Sequence, residues 1–159
     1  MAISACVSGP RASEVTERLN AAAGFALTQR AFALSLAKQC RFDPVAKVNR
    51  AEAAQAAMAA WTRRNQARID AVNRYLEDYV AVLARREGRR KAADRKADLT
   101  RQYIASGGVT AQRMIEQSGG RDRCPELLER LERGELEPAS PEFDRPLEEL
   151  VQKYGTPRG

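Results

Sequence analysis

Trp61, Asn65, Ile69, Val72, Leu76, Val80 and Leu83 recur along the chain at spacings of four, four, three, four, four and three. That stripe repeats once per helical turn and predicts a long helix from about 46 to 86. An earlier apolar face, Val15, Leu19, Ala22 and Ala26 with Phe25, Phe32 and Leu36 beside it, predicts a first helix at roughly 12–39, entered through Pro10 and Ser13. Cys40-Arg41-Phe42-Asp43-Pro44 separates the two, because a proline disfavours helical geometry in the residue before it.

Beyond Gly88, which kinks or ends the second helix, a basic helix is expected over 89–105. Ser106-Gly107-Gly108 and Ser118-Gly119-Gly120 then read as helix ends bracketing a short helix at 110–117, since glycine accepts the left-handed conformation that closes helices. Pro125 suits a first helical position and opens 125–133. A connection containing Pro138 and Pro141 leads to a last helix around 142–153.

No stretch alternates β-branched and polar residues as a half-buried strand would. Aromatic residues are only 6%, while alanine crowds 21–37 and 51–60, which favours closely packed helices. The fold class expected is all-α: a single-domain helical bundle built on a long antiparallel hairpin, 12–39 against 46–86. Residues 1–11 read as a flexible tether, 12–153 as the bundle domain and 154–159 as a disordered tail. No run of about 20 apolar residues occurs, so no segment reads as a membrane span.

Charge divides the chain. Residues 85–101 hold eight Arg/Lys against three Asp/Glu, and residues 122–150 hold ten acids against four bases, within a net charge of +6. The simplest expectation is that the two segments pair with each other inside the fold. Otherwise Arg85, Arg86, Arg89, Arg90, Lys91, Arg95 and Lys96 form a basic contact surface, and the acidic 126–150 segment a second one.

Three cysteines occur. Cys40, ending the first helix, and Cys124, entering a late one, would clip the C-terminal helices onto the hairpin if bridged. A loop of that length contributes about 3–4 kcal/mol through the unfolded state, and a bridge implies an oxidising compartment. Cys124 also sits between Arg123 and a helix start, conditions that favour a reactive thiolate, and an inert thiol is the third reading. Ile3-Ser4-Ala5-Cys6 resembles the bacterial lipobox, which makes Cys6 a lipidation candidate, with an ordinary exposed thiol as the alternative.

Trp61, Arg64 and Asn65 lie within one helical turn or so. They read as a core tryptophan with a hydrogen-bonded amide, or as a small pocket for an anionic or aromatic ligand. Taken together, Cys40, Pro44, Trp61, Arg64, Asn65, Cys124, Leu128, Leu131 and Gly134 form a pattern over roughly 40–134 that resembles small uncharacterised secreted helical proteins of proteobacteria. The resemblance implies an envelope location and a disulfide, and no activity.

A rival pattern is a helix-turn-helix. In Tyr103–Arg113 a glycine, an aliphatic residue and a threonine precede a short helix, with the basic run upstream to meet phosphates. Its base readers would be Gln112, Arg113 and Gln117. Ile104 departs from the pattern by standing where a small residue lets the helices close.

Catalytic readings fare worst. The chain has no histidine, which removes the commonest general base and metal ligand. Its glycine pairs lack the spacing of a phosphate-binding loop. Glu77, Asp78, Asp94 and Asp98 lie in polar helical runs where solvated ion pairing is the default. The expectation is a protein that is not an enzyme, with no metal, cofactor or small-molecule substrate. It would act through contacts with an envelope protein partner, in the periplasm or anchored at the membrane through Cys6. The alternative is a cytoplasmic nucleic-acid binder using 85–101 and the turn within 99–117.

Overall fold

The computed structural model describes residues 12–155, and the fold is all-α. Helix α1 spans Ala12–Cys40, α2 Ala51–Glu87, α3 Arg89–Ser118, α4 Cys124–Arg133 and α5 Pro141–Tyr154. Between α1 and α2 a two-residue ladder pairs β1 (Phe42–Asp43) with β2 (Val48–Asn49), in the register Phe42 with Asn49 and Asp43 with Val48. A single 3-10 turn, Arg121–Arg123, leads into α4.

Helix α2 therefore starts at Ala51 rather than near 46. Asp43 explains the delay: its Oδ1 accepts the amides of Val45 and Ala46 at 2.9 and 3.0 Å, a side-chain turn that competes with helix. Those amides, the Ala46 one foremost, hold the Asp43 carboxyl below its ordinary range against its burial, with Arg50 and Arg121 assisting.

The larger difference is α3. It runs unbroken through Ser106-Gly107-Gly108, so the helix end expected there and the short helix at 110–117 do not exist. Gly107 is buried, and a β-carbon on it would lie 2.4 Å from the Phe32 nitrogen. This glycine serves a close crossing of α3 over α1 rather than a turn. The second pair behaves as expected: Gly119 adopts the left-handed conformation (φ 109°) and ends α3.

Helices α1 and α2 each pack against all the other helices. Gly24 faces Tyr103 and Phe32 faces Gly107, so α3 runs parallel to α1 on one side. Helix α2 runs antiparallel to α1, with Tyr75 donating to Asn20 Oδ1 at 2.6 Å. Helices α4 and α5 close the next side, where Phe25 stacks on Phe143 (ring centroids 4.6 Å apart) and Arg18 grips Glu149. Fully buried Leu36, Leu127, Leu128, Leu131, Leu147 and Leu150 fill that layer. The remaining side of α1, carrying Leu27, Arg30, Leu34 and Lys38, has no helix over it among the described residues.

Helix α5 extends one residue beyond the expected domain limit. Tyr154 packs edge-on against Tyr75, ring centroids 5.8 Å apart, and its carbonyl accepts from Arg74. No helix among the described residues is long and apolar enough to cross a membrane.

Candidate functional surfaces

Cys40 and Cys124 are bonded, sulfurs 2.03 Å apart and Cα atoms 5.2 Å apart, and both side chains are buried. The bridge joins the end of α1 to the start of α4, and it leaves no thiolate at Cys124. Arg121 reinforces the junction by donating to the carbonyls of Gln39 and Phe42. Cys6 lies outside the described residues.

Trp61, Arg64 and Asn65 do not converge on one pocket. Trp61 is core, 4% exposed. Arg64 Nη2 donates to the Leu131 carbonyl at 2.8 Å, Nη1 to the Glu132 carbonyl, and Nε to Glu137 Oε1 at 2.9 Å. Those carbonyls lie at the C-terminal end of α4, where the Leu131 oxygen also accepts the capping Gly134 amide and a cation meets the negative end of the helix dipole. Asn65 Nδ2 donates to the Trp61 carbonyl at 3.0 Å and to Glu137 Oε1 at 3.3 Å. The anion held by Arg64 and Asn65 is thus the chain's own Glu137. A cavity of about 100 Å³ beside Trp61 and Asn65 is walled by Glu137 and Asp144, a poor setting for a second anion.

The ion pairs are unevenly spread. Arg18, Arg64 and Arg68 pair with Glu149, Glu137 and Asp144, so the acidic C-terminal segment is met by arginines of α1 and α2. Other acids of that segment pair within it, as Arg123 with Glu126 and Arg133 with Glu129. The pairing expected between 85–101 and 122–150 is absent among the described residues. Arg85, Arg86, Arg89, Arg90, Lys91, Arg95 and Lys96 are all exposed and make no ion pair there. Among the described residues, the one ion pair within 85–101 joins Arg101 to Asp98 of its own helix. These cations flank Gly88, whose φ of 93° turns α2 into α3 within one residue. They form a basic tip at the hairpin end.

The helix-turn-helix geometry is missing, because Gln112, Arg113 and Gln117 continue the same helix as the basic run and no turn sets a second helix against it.

Sequence reasoning missed a groove between α2 and α3, floored by the uncovered side of α1. Its deeper part, about 360 Å³, is lined by Leu27, Leu34, Leu76, Val80, Leu99 and Ile104 among others. A shallower continuation shares Leu34 and runs past Lys38, Met58 and Arg63 to Arg41. Leu27, Leu34 and Lys38 at helical spacing were the legible signal, once the other sides of α1 are known to be covered. No family model, curated protein or solved structure matches the chain.

Proposed function

We propose that this is a non-catalytic helical binding protein of the cell envelope, periplasmic or held at the membrane through Cys6, which works by contacting another protein through its basic hairpin tip. The observation that carries this reading is the segregation of charge. Six acids of the C-terminal segment (Glu126, Glu129, Glu135, Glu137, Asp144 and Glu149) are ion-paired within the fold, whereas seven exposed cations around Gly88 have no ion pair among the described residues. Unpaired like charges on one rigid corner repel one another and are relieved by an acidic partner, which they also steer into contact. The buried Cys40–Cys124 bridge supports an oxidising compartment.

The test is photo-crosslinking in intact cells, with the reactive residue at Arg90 and, as control, at the exposed Glu148 of α5. A discrete protein adduct from Arg90, lost when Arg85, Arg86 and Arg89 are reversed to glutamate, is the expected result. Equal adducts from both positions, or none from Arg90, would overturn the reading. Nucleic acid crosslinked at Arg90 would favour a binder of polyanions instead.

A further inference from the structure

The geometry points to the groove floored by α1 as the seat of an amphipathic helix with acidic flanks, supplied by the partner. This rests on the proposed binding role and names the kind of segment bound. Three observations carry it. First, α1 is covered by α3, by α2 and by α4 with α5, and among the described residues the stripe through Leu27, Leu34 and Lys38 is left open along its C-terminal half. Leu34 and Ile104 stand on that open side 45% and 62% exposed, where large aliphatic side chains gain most from being covered.

Second, the groove has the shape of a helix seat. From Leu27 to Arg41 it follows α1 for about 20 Å at a rise of about 1.5 Å per residue, the length of a three- to four-turn helix. Ala31, Ala51 and Ala59 keep the lining low, so that a helix backbone can approach closely. It stays open along its length. A lone acyl chain would be left half in water, whereas small-molecule sites cover about 70–90% of their ligand. A helix needs only its apolar face buried.

Third, the charge lining the groove is one-sided. Arg30, Lys38, Arg41, Arg63 and Lys96 line it against the single carboxylate Glu77. None of those five cations has an ion pair among the described residues. They come from α1, α2, α3 and the residue after α1, so both edges of a bound helix meet positive charge. Lys96 belongs to the basic tip as well, which makes tip and groove one continuous surface. A helix presenting apolar residues at i, i+3, i+4 and i+7, with Asp or Glu on either side, matches this lining. This chain's own acidic helix α5 does not qualify, because Leu147, Leu150 and Tyr154 are already in its core.

The experiment is peptide display against the oxidised full-length chain. The library fixes leucine and alanine at the four apolar positions of a 14-residue helix and randomises the flanks. Enrichment of Asp and Glu at the flanks is expected, with binding of the selected peptides weakened at least tenfold by Leu34→Glu. The double variant Arg30→Glu/Arg63→Glu, confined to exposed side chains, should weaken it as much, and circular dichroism checks that both variants keep their helix content. Neutral or basic flanks, or undiminished binding to Leu34→Glu, would overturn the inference. So would saturable oleate uptake lost in Leu34→Glu without peptide enrichment, or self-association abolished by that substitution. Adducts from Arg90 that persist beside a failed selection would leave the binding role standing and remove only the helix from the groove.

Discussion

Gly107 lies directly against the Phe32 backbone, with no room for a β-carbon between them. Its neighbour Gly108 meets only Ser35 Oγ, 3.7 Å from where its β-carbon would stand. The two adjacent glycines therefore respond oppositely to one methyl group. Gly107→Ala should destabilise by about 2–3 kcal/mol, since it pushes backbone against backbone. Gly108→Ala should be neutral or stabilise by up to about 1 kcal/mol, through better helix propensity. Urea denaturation of both variants checks this, and equal effects would mean that the crossing is looser than described.

The same pair marks the limit of what could be read from sequence. The apolar stripe from Trp61 to Leu83 and the face from Val15 to Leu36 foretold α1 and α2, because periodicity reports which side of a helix is buried. A glycine pair inside a helix looks the same as one ending it. What separates them is a tertiary contact, Phe32 against Gly107, which local sequence does not encode. Arg64 teaches a related lesson. Its proximity to Asn65 was legible, but its true partners, Leu131, Glu132 and Glu137, arrive from 67, 68 and 73 residues away. The groove was hidden for a third reason: an uncovered side of α1 is defined only by where α2, α3, α4 and α5 pack.

Arg64→Ala leaves the last carbonyls of α4 without a cation and Glu137 without its ion pair. A loss of about 2 kcal/mol is expected, allowing for the partial exposure of the guanidinium. Arg64→Lys should recover little of it, because an ammonium cannot span both carbonyls and the carboxylate at once. Thermal unfolding of the two variants distinguishes this clamp from a ligand-binding arginine, which would leave stability nearly untouched.

Opening the Cys40–Cys124 bridge removes a constraint on the unfolded chain between residues 84 apart. Reduction, or Cys40→Ala/Cys124→Ala, should cost about 3–4 kcal/mol while the helices still form. Circular dichroism of the reduced protein should keep most of its helical signal at low temperature and melt earlier. An unchanged midpoint would show that packing alone holds α4 to α1.

Alkaline pH bears on Tyr75. Burial raises its phenol above the ordinary tyrosine range, with Tyr154 and Tyr79 adding to the effect. A raised folded pKa means that its contribution is complete below about pH 10 and is lost as pH climbs through the higher folded value. Tyr103 is raised for the same first reason, burial, with Tyr79 again adding. Tyrosinate absorbance should show a late-ionising fraction that shrinks in Tyr75→Phe and again in Tyr103→Phe.

Acid acts through the turn before α2. The Asp43 carboxyl is lowered first by the Ala46 amide, so the stability it lends is complete above the ordinary value of 3.8 and is lost as pH falls through the lower folded one. Carboxyl NMR of Asp43 should place its midpoint below that of a free aspartate. Asp43→Asn, which keeps an acceptor for the two amides, should remove this acid-side dependence.

The bridge also decides how the molecule carries load. Pulled at its two ends, the chain transmits tension through α1, across the sulfur–sulfur bond and on through α4 and α5. Helices α2 and α3 lie on a closed covalent loop off that path. A strain that peels α5 away strips α2 of its contacts with Asp144 and Tyr154 but puts no tension along α2, α3 or the basic tip. For a chain held at both ends, the Gly88 corner and the two helices that bear it stand off the line of force.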